Sequence, residues 1–223
     1  MSGGYKPAKT GVSGVVNEFN ALKRRLNELE KPRDAIVPVP YGPRILKTGY
    51  SYAPTVPATL SNSTLPINNT LYALPFYVPH SMTATSLSMY VNTLAGTTGG
   101  YSVGLYSNST TDDYPYAKLA ESFFDTSTSF GATGWNTLTI SVSLTAGLYW
   151  LTSVRQATTA PTVTCLTAGI NGDNPLPFAL TASLSTTGAI SWTQTGVTGV
   201  LPILFTSTKT SQAGTVPLVL IGF

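Results

Sequence analysis

The sequence predicts a mainly β protein: an N-terminal helix that zips with copies of itself as a parallel coiled coil, followed by an antiparallel β-sandwich head. Three observations predict it. Apolar residues fall at Val12, Val15, Phe19, Leu22, Leu26 and Leu29, in steps of 3, 4, 3, 4 and 3, which is a heptad seam. From about Ser81 onward, short apolar runs recur between turn signals roughly every 8–12 residues, the rhythm of a sandwich. Charged residues make up only 9% of the 223, against about 25% in an ordinary globular domain, yet 42% are apolar and 12 are Tyr, which is enough apolar surface to fold.

The chain divides by composition into four parts. Residues 1–11 hold Gly, Lys, Pro and Thr without periodicity and read as an anchoring arm. Their apolar content is too low for a secretory leader. Residues 12–31 form the stalk, with Ser13 as N-cap and Pro32 as the stop after Lys31. With Val12, Phe19 and Leu26 at a and Val15, Leu22 and Leu29 at d, Glu18 faces Lys23 of a neighbouring chain and Arg25 faces Glu30, both complementary in a parallel bundle. An isolated helix this short is marginal in water, so the seam is expected between chains rather than against the chain's own β region. The run Arg25-Leu26-Asn27-Glu28-Leu29-Glu30 resembles the R-h-x-x-h-E pattern of short parallel trimeric coiled coils. Together with Phe19 at an a position, it favours a homotrimer over a dimer.

Residues 32–79 carry prolines at 32, 38, 40, 43, 54, 57, 66, 75 and 79 and read as extended linker, polyproline II or edge-strand material, a semi-rigid spacer, with Asn69–Val78 apolar enough to open the head as its first strand. Residues 80–223 are the head. Expected strands are Thr83–Val91, Gly100–Tyr106, Ala117–Phe124, Trp135–Leu144, Gly147–Arg155, Pro161–Ala168, Ala189–Trp192 and Pro217–Phe223. Strict alternation over Leu138–Leu144 makes one face of that strand buried and the other wet. Their packing as two sheets points to a jelly roll.

Charge is divided unevenly. Residues 1–49 hold nine Lys or Arg against four acids, and residues 50–223 hold three against five. The head therefore has no basic patch for nucleic acid, and the leading segment is too interleaved with Glu18, Glu28 and Glu30 to argue for one. No stretch reaches the roughly 18 apolar residues of a membrane helix, so no membrane insertion is expected.

Catalytic chemistry is poorly supplied. His80 is the one histidine, and no G-x-S-x-G elbow accompanies it. Cys165 is the one cysteine, inside the apolar run Val163–Leu166, so it reads as a buried small hydrophobe with no intrachain disulfide. One His and one Cys do not make a zinc site. The head's acids are Asp112, Asp113, Glu121, Asp125 and Asp173, and neither Asp112-Asp113 nor Asn171–Asn174 has a calcium-loop spacing. No two of them are singled out as a glycosidase pair. No enzyme activity, metal or cofactor is expected. Aromatic residues are the better candidates for binding. Tyr114 and Tyr116 flank Pro115 beside Asp112 and Asp113, a loop suited to a sugar, and Trp192 in Ser191-Trp-Thr-Gln194 is a second candidate. Trp135 and Trp150 are expected in the core.

Val103-Gly-Leu-Tyr106, Leu138–Leu144 running into Thr145-Ala-Gly-Leu-Tyr-Trp-Leu151, Thr195-Gly-Val-Thr-Gly-Val-Leu-Pro202 and the apolar end at Phe223 give the head a resemblance. Over about residues 80–223 it resembles a module of tailed-bacteriophage virion proteins, found in tail fibres, receptor-binding proteins and head fibres. The resemblance implies a jelly-roll head and a virion location. The implied partners are other virion proteins, gripped by the arm, and host surface polysaccharide, met by the head. An arm of about eleven residues before the coil equally suits a capsid decoration protein or head fibre. A small polysaccharide depolymerase is the distant third reading.

Overall fold

The chain divides into two compact units, Met1–Val39 and Pro40–Phe223. The structure, a computed structural model, describes residues 45–54, 58–64, 67–93, 100–111, 114–125, 133–156, 161–168, 189–206, 210–213 and 215–223, together with Asn20 and Lys23. In the first unit Asn20 and Lys23 have helical backbone and exposed side chains. The arm, the six seam positions Val12, Val15, Phe19, Leu22, Leu26 and Leu29, and the flanking Glu18, Arg25 and Glu30 lie outside the described residues.

The second unit is built of β1 (Ser51–Tyr52), β2 (Ala58–Thr64), β3 (Leu71–Val78), β4 (Met82–Thr93), β5 (Gly100–Asn108), β6 (Pro115–Asp125), β7 (Gly134–Leu144), β8 (Gly147–Arg155), β9 (Thr162–Ala168), β10 (Ala189–Gln194), β11 (Thr210–Ala213), β12 (Thr215–Pro217) and β13 (Leu220–Gly222). They form two antiparallel sheets. The first runs β1-β13-β4-β9-β12, with β2 also on β9 and β7 also on β4; the second runs β11-β10-β3-β8-β5-β6. Between β3 and β10 the chain changes sheet at every connection except β5 to β6.

The strands expected from residue 83 to 192 are all present, and β13 lies inside the last expected one. Within the proline-rich stretch β1 and β2 take the edge-strand form: among the described residues β1 ends its sheet and β2 pairs only with β9. β2 itself contains no proline, and the described Pro54 lies outside the strands. Pro75 does sit in β3, yet beyond Ala73, the last residue there that β10 pairs. That position tolerates a missing N–H.

Alternation along β3 assigns its two faces. Phe76 and Val78 join the main core with Leu87, Met89 and Val91 of β4, Val103 and Leu105 of β5, Ile140 of β7, Leu151 of β8 and Cys165 of β9. Tyr72 and Leu74 meet Leu166, Val216 and Leu218 in a smaller cluster that also draws on both sheets. Leu71 and Ala73 point the other way, into a cluster on the outer face of the second sheet with Tyr106, Trp150, Val154 and Trp192. Val197, Leu201 and Phe205, from the segment 195–206, cover it. Each such buried side chain contributes about 1.5–3 kcal/mol.

This covering strap is fastened along its length. Val197 N–H donates to the carbonyl of Asn69 (2.9 Å), and Phe205 N–H to that of Tyr116 (2.8 Å). Tyr106 OH donates to the carbonyl of Pro202 (2.6 Å), and Gln156 Nε2 to that of Gly199 (2.7 Å), which itself holds φ 71°. Gly104 of β5 lies directly below: a Cβ there would stand 2.5 Å from Leu201 Cδ1 and 2.9 Å from Thr152 Oγ1. Only glycine lets Leu201 seat so close to the sheet.

Burial raises the phenol pKa of Tyr72, Tyr101 and Tyr106 above the ordinary value of 10.0. The Arg155 charge works against the rise at Tyr72 and Tyr101, whereas Glu121 adds to it at Tyr106. A phenol raised on folding leaves stability untouched below its unfolded value. Above that value stability falls, because the unfolded chain releases a proton that the folded chain keeps. In urea melts these phenols are expected to leave stability unchanged below about pH 10 and to lower it above, by at most roughly 1.4 kcal/mol per pH unit for each. Tyr101→Phe is expected to make that decline shallower.

Candidate functional site: the exposed aromatic residues

The loop singled out by its aromatic residues is short and self-closed. Ser109 N–H donates to the carbonyl of Tyr114 (2.9 Å), Thr111 N–H to Ser109 Oγ (3.3 Å), and Trp150 Nε1 to Asn108 Oδ1 (2.8 Å) at the loop's base. Tyr114 is half-buried against the outer cluster, while Tyr116, at the start of β6, remains 45% exposed. Asp112 and Asp113 lie outside the described residues. The loop thus offers Tyr116 as its accessible described ring.

Trp192 is not at the surface. It is 4% exposed beneath the strap, among Trp150, Tyr106 and Phe205, so it packs rather than meets a ligand. The polar residues around it in sequence suggest a wet position. Its phase on β10 and the covering strap bury it instead.

Trp135 is the opposite correction. It is 55% exposed rather than in the core. On β7 the inward phase is Leu138, Ile140, Val142 and Leu144, and Trp135 falls on the other phase with Thr137, Thr139, Ser141 and Ser143. It sits opposite Tyr90 of β4, and the two rings meet edge to face at 5.2 Å and 81°. The signal was present in the strict alternation of the strand.

Lys118 and Glu121 serve structure. Lys118 Nζ lies 2.6 Å from Glu121 Oε2 and 2.7 Å from the Leu201 carbonyl, and Leu201 N–H donates to Glu121 Oε1 (2.5 Å). The pair clamps the strap to β6. Cys165 is buried and His80 is exposed between Pro79 and Ser81. Among the described residues no group of three or more His, Cys, Asp or Glu gathers as a metal site, and no helix is long and apolar enough to cross a membrane. Exposed apolar side chains also line the clamped edge, Leu119 and Phe123 on β6 with Val200, Ile203 and Leu204 on the strap.

Charge is distributed sheet by sheet. The seven strands of the first sheet contain no Asp, Glu, Lys, Arg or His. In the second sheet, charge is confined to β6 and β8. The first sheet therefore presents hydroxyls, amides and one aromatic pair, a surface that can stack and hydrogen-bond but cannot ion-pair.

No family model matches the sequence, and no curated protein matches it.

Proposed function

We propose that the chain is a structural virion protein of a tailed bacteriophage, a homotrimeric fibre or spike without enzymatic activity. The arm at 1–11 holds it to other virion proteins, the seam from Val12 to Leu29 trimerises it, and the sandwich, wound as a jelly roll, meets polysaccharide on the host surface. One observation carries this reading: a heptad seam and a β-sandwich with a charge-free sheet occur in the same chain. The seam supplies copies, and the neutral head supplies a surface suited to sugars. Several heads on one stalk multiply weak contacts through effective concentration, so no deep pocket is needed. The virion setting rests on the resemblance of residues 80–223 to phage fibre modules.

The test combines imaging and binding. Cryo-electron microscopy of the particle is expected to find the protein at its exterior, on tail or capsid. The purified full chain is expected to bind cells of the infected host. Absence from the particle overturns the virion reading, cell binding without effect of purified surface polysaccharide overturns the glycan reading, and release of reducing ends from that polysaccharide reveals an enzyme.

A further inference from the structure

We propose that the outward face of β4 and β7 is a binding platform for uncharged polysaccharide, with Trp135 as its stacking ring. The proposal rests on the adhesive reading of the head and names its site and ligand class. Register fixes the face: Tyr90 stands opposite Trp135, Ser88 opposite Thr137 and Ser86 opposite Thr139. The residues between them, Leu87, Met89 and Val91 on one strand and Leu138, Ile140 and Val142 on the other, point into the core.

Beyond Trp135 every outward position of β7 is Thr or Ser, and all of them are exposed. They recur about every 6.8 Å along the strand. Each hydroxyl both donates and accepts, as does each hydroxyl of a sugar. Ser88, itself buried, pairs its Oγ with Thr137 Oγ1 at 2.9 Å, and Asn92 Nδ2 donates to Thr164 Oγ1 (3.2 Å), so this end of the face is held in place before a ligand arrives. Among the described residues β7 pairs in the sheet only with β4, so the row is presented on the sheet's outward face.

Trp135 adds nothing to the buried core of the described residues. Its indole lies outside the three buried clusters and touches Tyr90. An exposed ring at the end of a hydroxyl row is the pairing that sugar recognition uses, with C–H bonds over the ring and hydroxyls on the row. The charge-free sheet sets the ligand's charge. A uronate, sulfate or phosphate brought here would lose hydration without a cation to meet it.

Iodide quenching of tryptophan fluorescence reads this site directly. Of the three tryptophans, Trp150 and Trp192 are buried and Trp135 is exposed. The full chain is titrated with dextran, mannan and galactan as neutral probes, and with hyaluronan and dextran sulfate as anionic ones. At least one neutral probe is expected to shield Trp135 from iodide, and neither anionic probe is. In pull-down, Trp135→Ala and Thr139→Lys are each expected to weaken that binding at least tenfold, with circular dichroism unchanged, while Val200→Ala, at an exposed position of the strap, leaves it intact. Binding of a neutral probe that survives both variants overturns the platform but leaves an adhesive head. So do anionic binding alone, no binding of any neutral probe, or shielding that rises with protein concentration without sugar, the sign of a second copy on this face. Failure of the unmodified protein to bind host cells removes the adhesive reading itself.

Discussion

Trp150→Ala is expected to lower the unfolding free energy by about 3–5 kcal/mol, the range for removing a fully buried large aromatic side chain. The indole is 0% exposed in β8, between Pro75 of β3 and Tyr106 of β5, with the strap above it. The substitution opens a void under Leu201 and Phe205 and removes the Nε1 bond to Asn108 that steadies the base of the Ser109–Tyr114 loop. Trp150→Phe keeps most of the volume and is expected to cost about 1–2 kcal/mol, the lost hydrogen bond and a smaller gap. Trp135→Ala serves as the contrast: outside the core it gives up chiefly its edge-to-face contact with Tyr90, at a cost of about 0.5–1.5 kcal/mol. Urea melts of the three variants read all of these together.

Leu22→Asp with Leu26→Asp is expected to convert the proposed trimer to monomers of 23.5 kDa by light scattering. Three seams would then bring six carboxylates to positions that demand apolar contact, and an unpartnered helix of this length does not persist. The urea melt of the β unit is expected to keep its midpoint. Cell binding is expected to fall by roughly 10²–10⁴ through lost effective concentration alone. A trimer that survives the double substitution shows that the heptad seam is not what holds it together.

The strands were legible because each is local. Period-two alternation at Leu138–Leu144 and the apolar run at Leu148–Leu151 appear directly as β7 and β8. What sequence did not reveal is long-range. Segment 195–206 has two glycines and no periodicity, so nothing marks it as the cover of a sheet face, and without that cover Trp192 reads as exposed. Trp135 was placed inside on residue type although its own strand's phase puts it outside. The charge-free sheet is invisible along the chain, because β2, β4, β7, β9 and β13 become neighbours only through pairing. In the proline-rich stretch the sequence leaves linker and edge strand open for the same reason: an isolated extended segment and a paired strand share one composition.

The position of β13 bears on how the molecule is made. Leu220–Gly222 lies between β1 and β4, and Phe223 N–H bonds the carbonyl of Tyr50. Until Leu220–Gly222 has been made and has docked, that slot stays vacant, with two unpaired strand edges flanking it. Such edges recruit whatever strand is near. Closure waits for a partner some 130 residues downstream of β4, a separation that slows folding.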